Sequence, residues 1–111
     1  MSEFAALADP PYYAVIFTAQ RTDVDEGYAA MAEKMAELAL AHPGCLGMET
    51  IRNDKGFGIT VSYWKTEADI LEWKSDAKHL VAQQMGKSAW YEHYILRVAR
   101  VDRQYDGPEG R

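Results

Sequence analysis

Apolar positions alternate, then recur at helical spacing, alternate again in two short runs, and repeat the helical spacing before a last long alternating stretch. After Pro10-Pro11, Tyr12 to Gln20 is rich in β-branched and aromatic residues and predicts a strand. Arg21 to Asp25 is polar, with Thr22 or Asp23 placed to cap a helix beginning just after it. From Glu26 to His42 the apolar positions Tyr28, Met31, Met35, Leu38 and Ala39 lie on one side. Glu33, Lys34 and Glu37 occupy the other, which predicts an amphipathic helix stopped by Pro43-Gly44. Leu46 to Asn53 and Gly58 to Trp64 predict two strands, joined as a hairpin by the turn cluster Asn53-Asp54-Lys55-Gly56. Thr66-Glu67-Ala68-Asp69 fits a capping box opening a second helix. Its buried stripe is Ile70, Trp73, Ala77, Leu80 and Val81, with a break near Ser75-Asp76 and an end at Gly86. Trp90 to Arg103 predicts a long final strand, and Gln104 to Arg111 a mobile tail.

Strand, helix, strand, strand, helix, strand is the split βαβ order. It predicts an α+β, ferredoxin-like βαββαβ fold: a four-stranded antiparallel sheet with both helices on one face. The strands are apolar on both faces. Tyr13, Val15 and Phe17 oppose Tyr12, Ala14 and Ile16, while Tyr94, Leu96 and Val98 oppose Tyr91, Ile95 and Val101. Two helices cover one face only, so a second copy of the chain is the expected cover for the other. The expectation is a homodimer with its two sheets packed as a dimeric α/β barrel.

Composition narrows the class. The chain is 111 residues long and holds one domain, read as an extension over 1–11, a folded unit over 12–105 and a tail over 106–111. A net charge of −5, with Lys and Arg scattered, argues against a nucleic-acid partner. No apolar run approaches bilayer length and no basic amphipathic helix is present, so no membrane partner is expected. The first residues, MSEFAALADPPYY, lack the basic start of a secretory signal. Cys45 is the single cysteine, which excludes an intramolecular disulfide and makes the cytoplasm the expected compartment. The three histidines show no metal-ligand spacing, and no glycine fingerprint for a dinucleotide follows a strand. No cofactor is expected on these grounds.

Several segments together resemble one family. They are the turn His42-Pro43-Gly44-Cys45-Leu46-Gly47, the strand end Ser62-Tyr63-Trp64-Lys65, and Glu67-Ala68-Asp69-Ile70 through Trp73. His79 to Gln83 and the Trp90-Tyr91 strand start complete the set. Across Tyr12 to Tyr105 the chain resembles the antibiotic biosynthesis monooxygenase superfamily of small dimeric α+β barrels. The resemblance implies cofactor-independent oxidation of a small aromatic or quinol-like compound, among several roles that superfamily covers. A haem-degrading branch is similar in having a tryptophan where this chain has Trp73. It also uses an asparagine on the first strand and a histidine where this chain has Gln83, and neither matches.

Cofactor-free oxygenation needs a dry aromatic pocket, a group to take a proton and a group to steady the resulting anion. All three tryptophans and three tyrosines fall between Tyr63 and Tyr94, and the aromatic pocket is sought there. The catalytic candidates are His79, as proton acceptor, and Arg97, as anion holder. The substrate-binding candidates are Trp64, Trp73, Gln83, Trp90, Tyr91 and Tyr94. Each has a plainer reading: Trp73 as a core anchor, His79 as an exposed or capping residue, Arg97 as the partner of a carboxylate such as Glu49. His42 reads as a helix C-terminal residue favourable to the macrodipole. The rival function is a non-catalytic barrel that binds a small apolar ligand or acts in a stress response, with haem handling third.

Overall fold

The computed structural model of the chain describes residues 3–84 and 90–108, with the side chains of 79–84 outside that description. Six elements come in the expected order: β1 (Tyr12–Arg21), α1 (Tyr28–Ala41), β2 (Cys45–Arg52), β3 (Phe57–Trp64), α2 (Glu67–Gln84) and β4 (Tyr91–Val101). The strands make one antiparallel sheet in the order β2-β3-β1-β4, the ferredoxin-like βαββαβ arrangement. The sheet is open. β2 pairs only with β3 and β4 only with β1, so the expectation of a dimeric α/β barrel is corrected. Closure would require the edge strands to find a neighbour, and the full width of the sheet separates them.

Local chemistry explains the element ends. Asn53 Oδ1 accepts the Lys55 and Phe57 N–H groups, and Gly56 takes φ +85°, which sets the hairpin turn. Thr66 Oγ1 accepts the Asp69 N–H at 3.1 Å, the capping contact expected from the sequence. α2 runs on through Ser75-Asp76 without the expected break. At α1 the capping expectation also fails. Its N-cap is Gly27, at φ +79° and with no side-chain cap, while Thr22 Oγ1 instead accepts the Val24 N–H. α1 has no acidic residue in its first turn and no basic one in its last, so packing of Tyr28, Met31 and Ala39 holds it in place.

Pairing register sorts the sheet into two faces. On the helix face the cross-strand rows are Met48–Ser62–Val15–Val98, Thr50–Thr60–Phe17–Leu96 and Arg52–Gly58–Ala19–Tyr94. The open face carries the rows Glu49–Val61–Ile16–Arg97 and Ile51–Ile59–Thr18–Ile95. The alternation breaks once in β4. Between Gln20 and Arg21 the register slips, with Gln20 opposite His93 and Arg21 opposite Tyr91, so Glu92 is an extra residue. Tyr91 therefore joins Tyr94 on the helix face and not Ile95 on the other, contrary to simple alternation.

The core divides into two clusters. The first holds Val15, Ala39, Trp64 and Ile70, with Tyr13, Cys45, Met48, Trp73 and Leu96 packed around them. The second holds Tyr28, Met31 and Trp90, with Ala32, Met35 and Tyr91 around them. On the open face, the chain's first described residues fold back over one end. The Ala5 N–H donates to Glu49 Oε2, and the Tyr63 hydroxyl donates to Glu49 Oε1 at 2.7 Å. Gln104 joins the same covering, accepting a hydrogen bond from the Tyr12 hydroxyl on its Oε1 and donating to the Ala8 carbonyl. Burial, with the Glu49 carboxylate beside it, pushes the Tyr63 phenol up to about 12.

Candidate functional site

Five aromatic rings form a continuous ladder on the helix face, where β1 ends and β4 begins. Trp90 meets Tyr28 at 6.3 Å between centroids, and Tyr28 meets Tyr91 at 6.0 Å. Tyr91 and Tyr94 each approach Phe17 at 5.4 Å. The inner contacts are edge-on and the outermost, Phe17 with Tyr94, is tilted at 42°. Burial falls along the ladder from Trp90, 2% exposed, to Tyr94, 56% exposed. One end is therefore anchored in the core and the other presents ring surface to the outside.

Beside the anchored end lies a cluster of arginine and phenol groups. The Arg21 guanidinium stacks 3.5 Å above the Tyr28 ring and bonds Asp25 Oδ1 at 2.9 Å. Arg52 Nη1 donates to the Tyr28 hydroxyl at 2.6 Å, and the Tyr91 hydroxyl donates to the same oxygen at 3.4 Å. Burial raises the Tyr91 phenol well above the ordinary tyrosine range. The bond to Tyr28 raises it further, and the two arginines pull the other way.

The candidates expected from the sequence fall in three places. Tyr91, Tyr94 and Trp90 belong to the ladder, although Trp90 faces inward and donates its indole N–H to the Glu26 carbonyl at 2.9 Å. Trp64 and Trp73 sit together in the first cluster, 5.3 Å apart. Trp64 is fully buried and donates to Ser62 Oγ, whereas the buried Trp73 indole N–H has no acceptor among the described residues. Arg97 lies exposed on the open face, opposite Ile16. Glu49, the carboxylate considered for Arg97, is engaged by Tyr63 and Ala5 instead. The side chains of His79 and Gln83 lie outside the described residues.

The remaining polar candidates have structural roles. His42 Nδ1 accepts the Gly44 N–H and its Nε2 meets Glu72 at 2.6 Å, tying the end of α1 to α2. With Nδ1 accepting, the proton is on Nε2 and points at the carboxylate. His93 is exposed on the open face. The described residues thus place no free histidine beside the ladder that would serve a haem iron. Burial pushes the Cys45 thiol up, which keeps it protonated at neutral pH and unsuited to nucleophilic attack. No group of metal-ligating side chains occurs among the described residues, and no described helix is long and apolar enough to cross a membrane.

Phe17, Tyr28, Arg21 and Arg52 do not stand out as site residues in the sequence. Phe17 and Tyr28 look like ordinary apolar positions of a strand and a helix. Only the register of β1 against β4, with its bulge at Glu92, brings them to Tyr91. A ferredoxin-like sheet with an aromatic shelf beneath its helices defines the class of protein. The chain belongs to the antibiotic biosynthesis monooxygenase family, whose model matches residues 11–85.

Among its relatives, the uncharacterised protein YqjZ of Bacillus subtilis is 49% identical over 96 residues, which span 86% of this chain and 84% of that protein. Jasmonate monooxygenase ABM of Pyricularia oryzae is 35% identical over 46 residues, spanning 41% of this chain and 21% of that enzyme. A variant of SnoaB, a cofactor-independent oxygenase from Streptomyces nogalater, superposes with a TM-score of 0.64 over 87% of this chain and 97% of its own. Its identity is 7%, so that likeness is one of fold.

Proposed function

We propose that the chain is an oxygenase that oxidises a small aromatic or quinol-like compound on the ring ladder, without a cofactor. The observation that carries the reading is the graded burial from Trp90 to Tyr94. It leaves aromatic surface presented on a face that helices otherwise cover. Family membership and the named activities of an oxygenase relative and an oxygenase of like fold support the same chemistry.

In such a reaction the ligand gives up a proton, and the resulting electron-rich carbanion or phenolate reacts with oxygen directly. For an anthrone, one oxygen atom becomes the new carbonyl and the other leaves as water, with the ring methylene supplying the electrons. The protein's part is to hold the ring, exclude water and accept the proton. The proton acceptor we assign is His79. α2 starts against Gly44 at the first cluster, and the chain re-enters at Trp90 in the second, so α2 travels from Trp64 toward the ladder. Trp73, with its indole N–H unpartnered among the described residues, supplies a donor along that path.

Oxygen uptake by the purified, metal-free protein with hydroquinones and anthrones tests the reading. Uptake above the compound's own autoxidation is expected, falling about 100-fold or more in His79→Ala. In Tyr94→Ala a rise in KM of about tenfold is expected as ring contact is lost. Uptake no faster than autoxidation across the panel would overturn the proposal.

The proposal extends to a homodimer formed through the open face. Ile51, Ile59 and Ile95 leave an exposed apolar row there, and Arg97 lies in the neighbouring row, where a partner surface would meet it. A cleft of about 380 Å³ between Phe4 and this face is part of the same surface. Light scattering on the eluting protein should report twice the chain mass. A monomer at every concentration tested would remove the dimer from the proposal.

A further inference from the structure

The Tyr28 hydroxyl accepts from Arg52 at 2.6 Å and from Tyr91 at 3.4 Å. Both bonds use its lone pairs, so its own proton is directed elsewhere and meets no acceptor among the described residues. Charge is unbalanced at the same place. Asp25 neutralises Arg21, whereas Arg52 has no carboxylate partner among the described residues. A second guanidinium already covers the Tyr28 ring at 3.5 Å, which favours negative charge near that phenol. In a chain of net charge −5 this is a local positive site, and it lies at the foot of an aromatic shelf.

We propose that Arg52 and the Tyr28 hydroxyl, braced by Tyr91 and Arg21, form the seat for an anionic oxygen carried by the aromatic ligand. The ligand class is thereby narrowed to ring compounds with a carboxylate or an ionised ring hydroxyl. The ring lies along Phe17 and Tyr94, and the oxygen accepts hydrogen bonds from the Tyr28 hydroxyl and a free N–H of Arg52. Arg52 is exposed at the end of β2, so ligand entry displaces only water from it. This rests on the reading of the ladder as a ligand shelf, though not on turnover.

Calorimetric titration with a matched pair, 2-naphthoate and 2-naphthamide, separates charge from ring contact. The wild-type protein should bind the carboxylate about tenfold or more tightly than the amide, the range of a charge-assisted hydrogen bond. Arg52→Gln should erase that preference by weakening the carboxylate more than the amide, and Tyr28→Phe should reduce it with the ring retained. Equal affinities in the wild type, or a preference that survives in Arg52→Gln, would overturn the anion seat alone. Failure of both probes to bind would sink the seat and the shelf together.

Discussion

Trp64→Ala is expected to lower the stability of the fold by about 3–5 kcal/mol, the range for emptying a fully buried tryptophan site. Trp64 is 0% exposed and packs on Trp73 at 5.3 Å and against His42 at 5.5 Å. It touches elements from both layers, since Val15 belongs to β1, Ala39 to α1 and Ile70 to α2. Its removal also takes the indole donor from Ser62 Oγ, leaving a buried hydroxyl unbonded. Domains of this size have a stability of about 5–15 kcal/mol, so the variant should unfold near half the urea concentration or less. The urea midpoint measured at an unchanged slope checks this. A loss below about 1 kcal/mol would mean that the first cluster is not the main core.

Trp90→Ala is the second large effect, and it differs in kind. The ring is 2% exposed and closes on Tyr28, so the direct stability loss is again about 3–5 kcal/mol. Its indole also holds the loop before α1 through the Glu26 carbonyl, and a side chain at Gly27 would come up against the same ring. Removing it frees the first turn of α1 and with it Tyr28, the middle of the ladder. Ligand binding is therefore expected to fall together with stability. In Trp64→Ala, under conditions where that variant is folded, binding should persist. The comparison is made by titrating both variants with one aromatic ligand at a temperature where circular dichroism shows each folded. Intact binding in Trp90→Ala would separate the ladder from the ligand.

The legible part of this fold is the periodic and local part. Tyr28, Met31 and Ala39 recur at helical spacing and are the buried residues of α1. The turn at Asn53-Gly56 and the box at Thr66-Asp69 rest on contacts within a few residues, and both form as expected. The departures are non-local. Nothing near Gly27 signals that α1 starts without a side-chain cap; the start of the helix is tied down from afar, by the Trp90 indole bonded to the Glu26 carbonyl. Two-faced strands suggest a closed barrel, yet they specify only that a face needs covering and not how the edges end. The ladder is half visible in the chain. Tyr91 and Tyr94 stand out for being aromatic, but Phe17 and Tyr28 reach them only through strand register. Arg52 escapes notice because it stands at a turn, where an arginine ordinarily reads as solvated.

The extra residue Glu92 has a consequence for how this chain can tolerate change. Upstream of the slip the odd-numbered Tyr91 shares a face with the rings, and downstream the even-numbered Tyr94 does. The parity switch lets two tyrosines three apart stand side by side. Deleting Glu92 would remove the bulge and leave Tyr91 directly before His93, so regular alternation would keep Tyr91 and Tyr94 on one face with every pairing from His93 to Val101 intact. Relatives can thus keep this ligand shelf with one residue fewer between the two tyrosines, whereas an unbulged strand of the same count would turn the first tyrosine to the far side. Among homologous chains, aromatic residues two apart on a regular strand or three apart across a bulge give the same continuous ladder, whatever their overall identity.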